Sequence, residues 1–311
     1  MENVKLIIVA GMSGTGKSTT AQNISYQYMK NGVKHEWYHE EMQDHPIRWA
    51  NGGEFTVGDL KTEEGMRSNV LDTYARWQLL VEDMLSKGGI FVMEGCLYQN
   101  IIRYFIPGAY PVEKITEYYD ELVKILMPVN PHIIHLHRPD VAKSFEKAFA
   151  VRGKKWEHII TDGKSEYEFS DEAAYQAIAR SIFDRFSGKK LSIDTSDDNW
   201  GEYRKEICNF LNIRYYERRF SSVQNPEMYA GHFECANGER IESINIICEN
   251  GELFLSPSWF THIKLNAIVE HYFEASAFPI YFTYSFADNE AYIKVSGNYD
   301  WSIVGKTLKR I

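Results

Sequence analysis

Eight consecutive residues, Gly11-Met12-Ser13-Gly14-Thr15-Gly16-Lys17-Ser18, fit the spacing G-x-x-x-x-G-K-[ST] in full. Glycines let such a stretch curl until successive backbone N–H groups converge on one point. A helix opening at Lys17 would add the positive end of its dipole at the same place. The assembly suits a chain of phosphates. Gly11, Ser13, Gly14, Thr15, Gly16, Lys17, Ser18 and Thr19 would wrap it, Lys17 would reach its outer groups, and the Ser18 hydroxyl would ligate magnesium. A plain glycine turn would leave Lys17 without a purpose.

The flanking sequence supplies the elements such a loop needs. Val4 to Ala10 is a nearly continuous apolar run, as in a parallel strand buried on both faces. After Lys17, Ala21, Ile24 and Tyr28 fall on one helical stripe that stops at Gly32. A weaker strand spans Lys34 to Tyr38. A long helix is predicted from about Thr62 to Lys87, with Met66, Val70, Tyr74, Trp77, Val81 and Met84 at steps of three and four. Strands at Ile90 to Met93, His132 to His137 and Leu191 to Ile193 alternate with further helices. The fold class is α/β: a five-stranded parallel sheet with helices on both faces.

After about Ile213 the pattern changes. Short strand-like runs at Met228 to Cys235, Ile241 to Cys248 and Glu252 to Leu255 appear, the last two joined by Asn250-Gly251, a hairpin signal. Ile280, Phe282, Tyr284 and Phe286 place an aromatic face on another strand. Residues 1–213 are expected to form one domain and 214–311 a small, mainly antiparallel β domain. Residues 214–225 are the linker, aromatic enough to pack.

The chain has 311 residues, 44% hydrophobic and 25% charged, the composition of a globular protein. A net charge of −9 argues against broad contact with nucleic acid or anionic membrane. Cys96, Cys208, Cys235 and Cys248 are scattered and read as buried, reduced thiols. His135 and His137 share a strand face and read as sheet histidines. Neither a secretory leader nor a run of about 20 apolar residues is visible, which points to the cytoplasm.

Residues 1–213 resemble the P-loop kinase group that contains nucleoside, nucleotide and related small-molecule kinases. The Walker A octapeptide marks P-loop NTPases generally, the resemblance to kinases rests on the acids and cations named below, and no N-K-x-D or L-S-G-G-Q motif points to GTPases or transporter ATPases. It implies ATP and Mg²⁺ as cofactors, a small-molecule acceptor beside the loop, and a mobile basic lid. Glu94, closing Ile90-Phe91-Val92-Met93-Glu94, stands where such enzymes hold magnesium or orient the acceptor, which makes Ser18 and Glu94 the metal pair. The arginine usual beside that acid is missing here, and Arg103 is its candidate substitute.

The same resemblance implies a general base among Glu40, Glu41 and Asp44, with the choice open. Arg138, Lys147, Arg152, Lys154 and Lys155 supply lid cations, Arg152 first among them. Arg67 and Arg76 lie on the helix that would flank the acceptor. Two alternatives stand beside a kinase: a switch that hydrolyses ATP without an acceptor, and a C-terminal domain that makes a homodimer.

Overall fold

The computed structural model describes residues 5–47, 57–151, 170–239, 241–257, 260, 262–288 and 290–311. The described chain divides into two compact units. The first runs to Tyr216, except that 41–43 and 145–151 group with the second, which continues from Glu217 to Ile311.

In the first unit, β1 (Leu6–Ala10), β2 (His35–Tyr38), β3 (Ile90–Glu94), β4 (His132–His137) and β5 (Lys190–Asp194) form one sheet in the order β2-β3-β1-β4-β5. Every neighbouring pair is parallel. The α-helices among its described residues are α1 (Lys17–Lys30), the short α2 (Val57–Leu60), α3 (Glu63–Lys87), α4 (Val112–Leu126), α5 (Val141–Val151, which groups with the second unit from residue 145 on), α6 (Ser170–Arg185) and α7 (Trp200–Phe210). All five residues of β1 are buried, as its apolar run demands.

Local chemistry explains where the helices begin and end. In α1, Ala21, Ile24 and Tyr28 are buried. Its end is closed by Gly32 at φ +66 and by the Val33 N–H, which donates back to the Tyr28 carbonyl at 3.0 Å. Thr62 caps α3, its hydroxyl accepting from the Gly65 N–H at 3.0 Å, and Glu63 and Glu64 sit in the first turn, where the dipole favours anions. Met66, Trp77, Val81 and Met84 form the buried stripe, while Tyr74 stacks on Tyr118 with ring centroids 5.2 Å apart. Burying each such side chain contributes about 1.5–3 kcal/mol.

The two faces of the sheet differ. Ile7, Val9, Val92, Ile134, Leu136 and Ile193 pack against Ala21, Ile24, Tyr28, Tyr203 and Ile207 of α1 and α7 in one hydrophobic cluster. The opposite face carries His135, which lies against Phe183 of α6 with centroids 5.2 Å apart.

The second unit holds a closed barrel of eight strands: β6 (Gly231–Cys235), β7 (Ile244–Glu249), β8 (Glu252–Ser256), β9 (Ile263–Val269), β10 (Tyr272–Ala275), β11 (Ile280–Ala287), β12 (Glu290–Gly297) and β13 (Thr307–Arg310). Each strand pairs antiparallel with the next, and β13 returns to pair with β6. Asn250 and Gly251 both take positive φ, 52° and 79°, as a two-residue hairpin turn requires. The interior is filled by side chains, among them Phe233, Leu255, Phe273, Phe282, Ile293 and Leu308. Ile280, Phe282 and Tyr284 face inward as expected, but Phe286 is 38% exposed where β11 ends.

Two sequence expectations need correction here. Pro226–Tyr229 is a 3-10 turn and not the start of a strand, because proline fixes φ and cannot donate to a ladder. Cys235 and Cys248 are half-exposed rather than buried, since both lie near strand ends of a barrel whose inner positions are already occupied. Linker residues 214–221 are fixed by hydrogen bonds. Tyr216 exchanges two 2.8 Å bonds with the Gln27 side chain, and the Ser221 N–H donates to Ala267 at 2.9 Å.

Candidate active site

Because all five strands run parallel, their carboxyl ends share one edge, where open α/β sheets bind ligands. Gly11–Ser18 leaves this edge from β1. Gly14 and Gly16 take φ +80 and +92, and a β-carbon on either would strike the Ser144 carbonyl or the Trp200 ring at 2.2 and 2.1 Å. Only glycine fits both the turn and the close approach.

The loop's carbonyls are tied to side chains. Tyr175 donates to Gly11 at 3.3 Å, Thr15 to Met12 at 2.8 Å, Ser144 to Ser13 at 2.9 Å and Thr195 to Thr15 at 3.2 Å. Lys17 Nζ also donates to Met12, at 3.2 Å. The carbonyls of Gly11, Ser13 and Thr15 are thus taken up by side chains from outside the loop, which suits the N–H-lined hollow that holding phosphate oxygens requires. Lys17, Ser18 and Thr19 open α1, so their N–H groups belong to the set a helix leaves for an anion.

Glu94, last residue of β3, is completely buried. Ser18 Oγ donates to its Oε1 in a short hydrogen bond, and its Oε2 lies 3.5 Å from Nε2 of His39, itself 2% exposed. A hydroxyl oxygen and a carboxylate oxygen already in contact, beside the glycine loop, are the hard ligands that magnesium takes from a protein. The residues fit that ion.

Among the three acids after β2, Glu40 stands apart. Its Oε2 accepts from Gln99 Nε2 at 2.7 Å and lies 2.7 Å from where a β-carbon on Gly95 would be. That places Glu40 next to the residue following Glu94. Glu41 groups with the second unit, where its carbonyl accepts from the Asp300 N–H at 2.8 Å. Asp44 is exposed, at φ +52.

The predicted cations are scattered. Arg67 and Arg103 are exposed, and Arg76 is paired with Asp72 at 2.6 Å along α3. Arg138, grouped with the lid by sequence, is 3% exposed and bonded to Asp198 in the turn before α7. Arg152, Lys154 and Lys155 lie outside the described residues, as does the side chain of Lys147.

Sequence reasoning did not single out His39, Gln99, Ser144 or Tyr175, which come from separate elements and carry no local spacing. Nor did it single out the ionisation state of the inner face. His135 is held down to about 4 by burial and by neighbouring His137. Burial pushes the phenols of Tyr98, Tyr119 and Tyr175 up. All four are uncharged near neutral pH.

No protein-family model matches the chain, and no curated protein matches its sequence. Among solved structures, YorR of Bacillus subtilis, crystallised with phosphorylated GDP, is 13% identical, with a TM-score of 0.37 over 69% of this chain and 100% of that one. Shikimate kinase of Acinetobacter baumannii, in complex with shikimate, is 11% identical, with a TM-score of 0.34 over 68% of this chain and 94% of that one. Both are too distant to carry chemistry across, so the function rests on the geometry above. Among the described residues no helix is long and apolar enough to cross a membrane.

Proposed function

We propose that this chain is a phosphotransferase that moves the terminal phosphoryl group of ATP, with Mg²⁺, to a small-molecule acceptor, nucleosides and nucleotides being the first to test. The observation that supports it most is the contact of Ser18 with buried Glu94 at the N-terminus of α1. The loop N–H groups and Lys17 bind the phosphates and stabilise charge on the transferring group. Ser18 and Glu94 would hold magnesium, which supplies charge neutralisation on the phosphate oxygens. Glu40 takes the proton of an acceptor hydroxyl as its oxygen bonds to phosphorus and the bond to the ADP oxygen breaks. Arg152 would add a cation from the segment after α5.

The test is ADP formation across a panel of nucleosides, nucleotides and small alcohols. Acceptor-stimulated ADP formation is expected in the wild type, and Lys17→Ala should lower it by about 10²–10³-fold. ADP released at one rate with and without every acceptor would identify a hydrolytic switch instead.

A further inference from the structure

On the face of the sheet that carries His135, polar side chains from three segments meet without being satisfied by other described residues. The hydroxyls of Tyr98, just after β3, and Tyr119, on α4, are buried and have no hydrogen-bond partner among the described residues, and the same holds for Nδ1 of His135 on β4. Tyr98 and Tyr119 are 2% and 1% exposed, and His135 is 1% exposed. Their rings adjoin: centroids of Tyr98 lie 5.7 Å from Tyr119 and 6.1 Å from His135.

The cluster is continuous with the active site. Tyr175 of α6 lies within electrostatic reach of Tyr98, Tyr119, Glu172 and Glu40, and its hydroxyl ends on the Gly11 carbonyl at the root of the phosphate loop. His135 stands level with Ala10, the residue from which that loop departs. Folded proteins rarely leave several buried polar atoms unpaired in one place, because each loses its hydrogen bonds to water and gains nothing in return. Groups so arranged are explained by a polar ligand that completes them.

We propose that this cluster is the acceptor pocket, and that it takes an uncharged, hydroxyl-rich small molecule rather than a phosphorylated one. The inference rests on the phosphotransferase reading and deepens it. Phenols and a neutral imidazole both donate and accept, so they match the hydroxyls of a polyol ring. Of the charges within reach, Glu40, Glu172 and Asp184 are negative, and the cation Arg180 is already paired with Asp184 at 3.1 Å, so the balance would repel an acceptor phosphate. Recognition of such a phosphate calls for an arginine, and Arg138 is engaged by Asp198.

The experiment compares nucleosides and sugars with their monophosphates as acceptors for the full chain, and repeats the assay with Tyr98→Phe and Tyr119→Phe. Neutral compounds should stimulate ADP formation and monophosphates should not. Each variant should raise the acceptor KM by about tenfold, leave the KM for ATP within about twofold, and keep or raise Tm, since it deletes a hydroxyl that has no partner among the described residues. A monophosphate as the better acceptor would overturn the proposal. So would an unaltered acceptor KM in both variants, or a lowered Tm as their sole effect. If calorimetry shows MgATP binding yet no neutral compound stimulates turnover, this inference fails alone. Absence of MgATP binding would remove the phosphotransferase reading as well.

Discussion

Glu274 of the barrel and Glu94 of the α/β unit are both buried carboxylates, 3% and 0% exposed, but they keep different company. Phe273 and Ala275 point into the barrel, so Glu274 sits on its outer wall. There the Arg218 guanidinium lies against both carboxylate oxygens. Burial still raises its pKa, with Arg218 opposing. Glu94 is held through a hydroxyl and an imidazole. The barrel's carboxylate fastens a strand to the segment leading into it, whereas the other meets a hydroxyl and an imidazole at the carboxyl end of β3. A buried acid is therefore read by its partners and not by its depth.

The largest effect should come from breaking the structural pair. Arg218→Ala leaves a buried carboxylate uncompensated and should cost roughly 3 kcal/mol at pH 7. The sign of its pH dependence follows from the direction of the shift. A carboxyl whose folded pKa is raised takes up its proton before the unfolded chain does. Its ionised form thus costs stability above that value, and the cost is relieved as pH falls through it. Urea unfolding should show a smaller loss at pH 5 than at pH 7. Equal losses would mean that Glu274 is not the group responsible.

Glu94→Gln should do the reverse. It should lower Mg²⁺-dependent turnover by about 100-fold, equivalent to about 2.7 kcal/mol, while Tm stays level or rises, because a buried charge has been removed. A fall in Tm comparable to that of Arg218→Ala would erase the distinction between the two acids. The smallest effect is expected at His39. His39→Ala should weaken the Mg²⁺ dependence of nucleotide binding by about tenfold, as loss of a residue behind a metal ligand does. Calorimetry without Mg²⁺ should show wild-type affinity, and equal weakening with and without the ion would assign His39 to folding alone.

These contrasts mark how far the sequence could be read. The loop Gly11–Ser18 was legible because its geometry is written in contiguous backbone, where glycine, lysine and serine each have one positional meaning. Glu94 was legible as an acid ending a buried strand. Tyr98, Tyr119, Tyr175 and His135 were not, since an aromatic residue at helical or strand spacing looks the same in a core and in a pocket wall. What separates the two is whether the hydroxyl finds a partner, and that depends on four elements at once. The barrel was legible as strands but not as a closed form. Alternation specifies which side of a strand is apolar, yet nothing local to Phe233 or Leu308 states that their strands will meet.

That meeting has a kinetic consequence. Leu308 pairs with Cys235, positions about 70 residues apart, and contacts between such distant positions carry an entropic cost before they bring any reward. Seven hairpin-like steps can zip up in order, but each exposes a raw edge until the last strand arrives. The ring is completed only in its final move, and until then it offers other chains two unpaired margins.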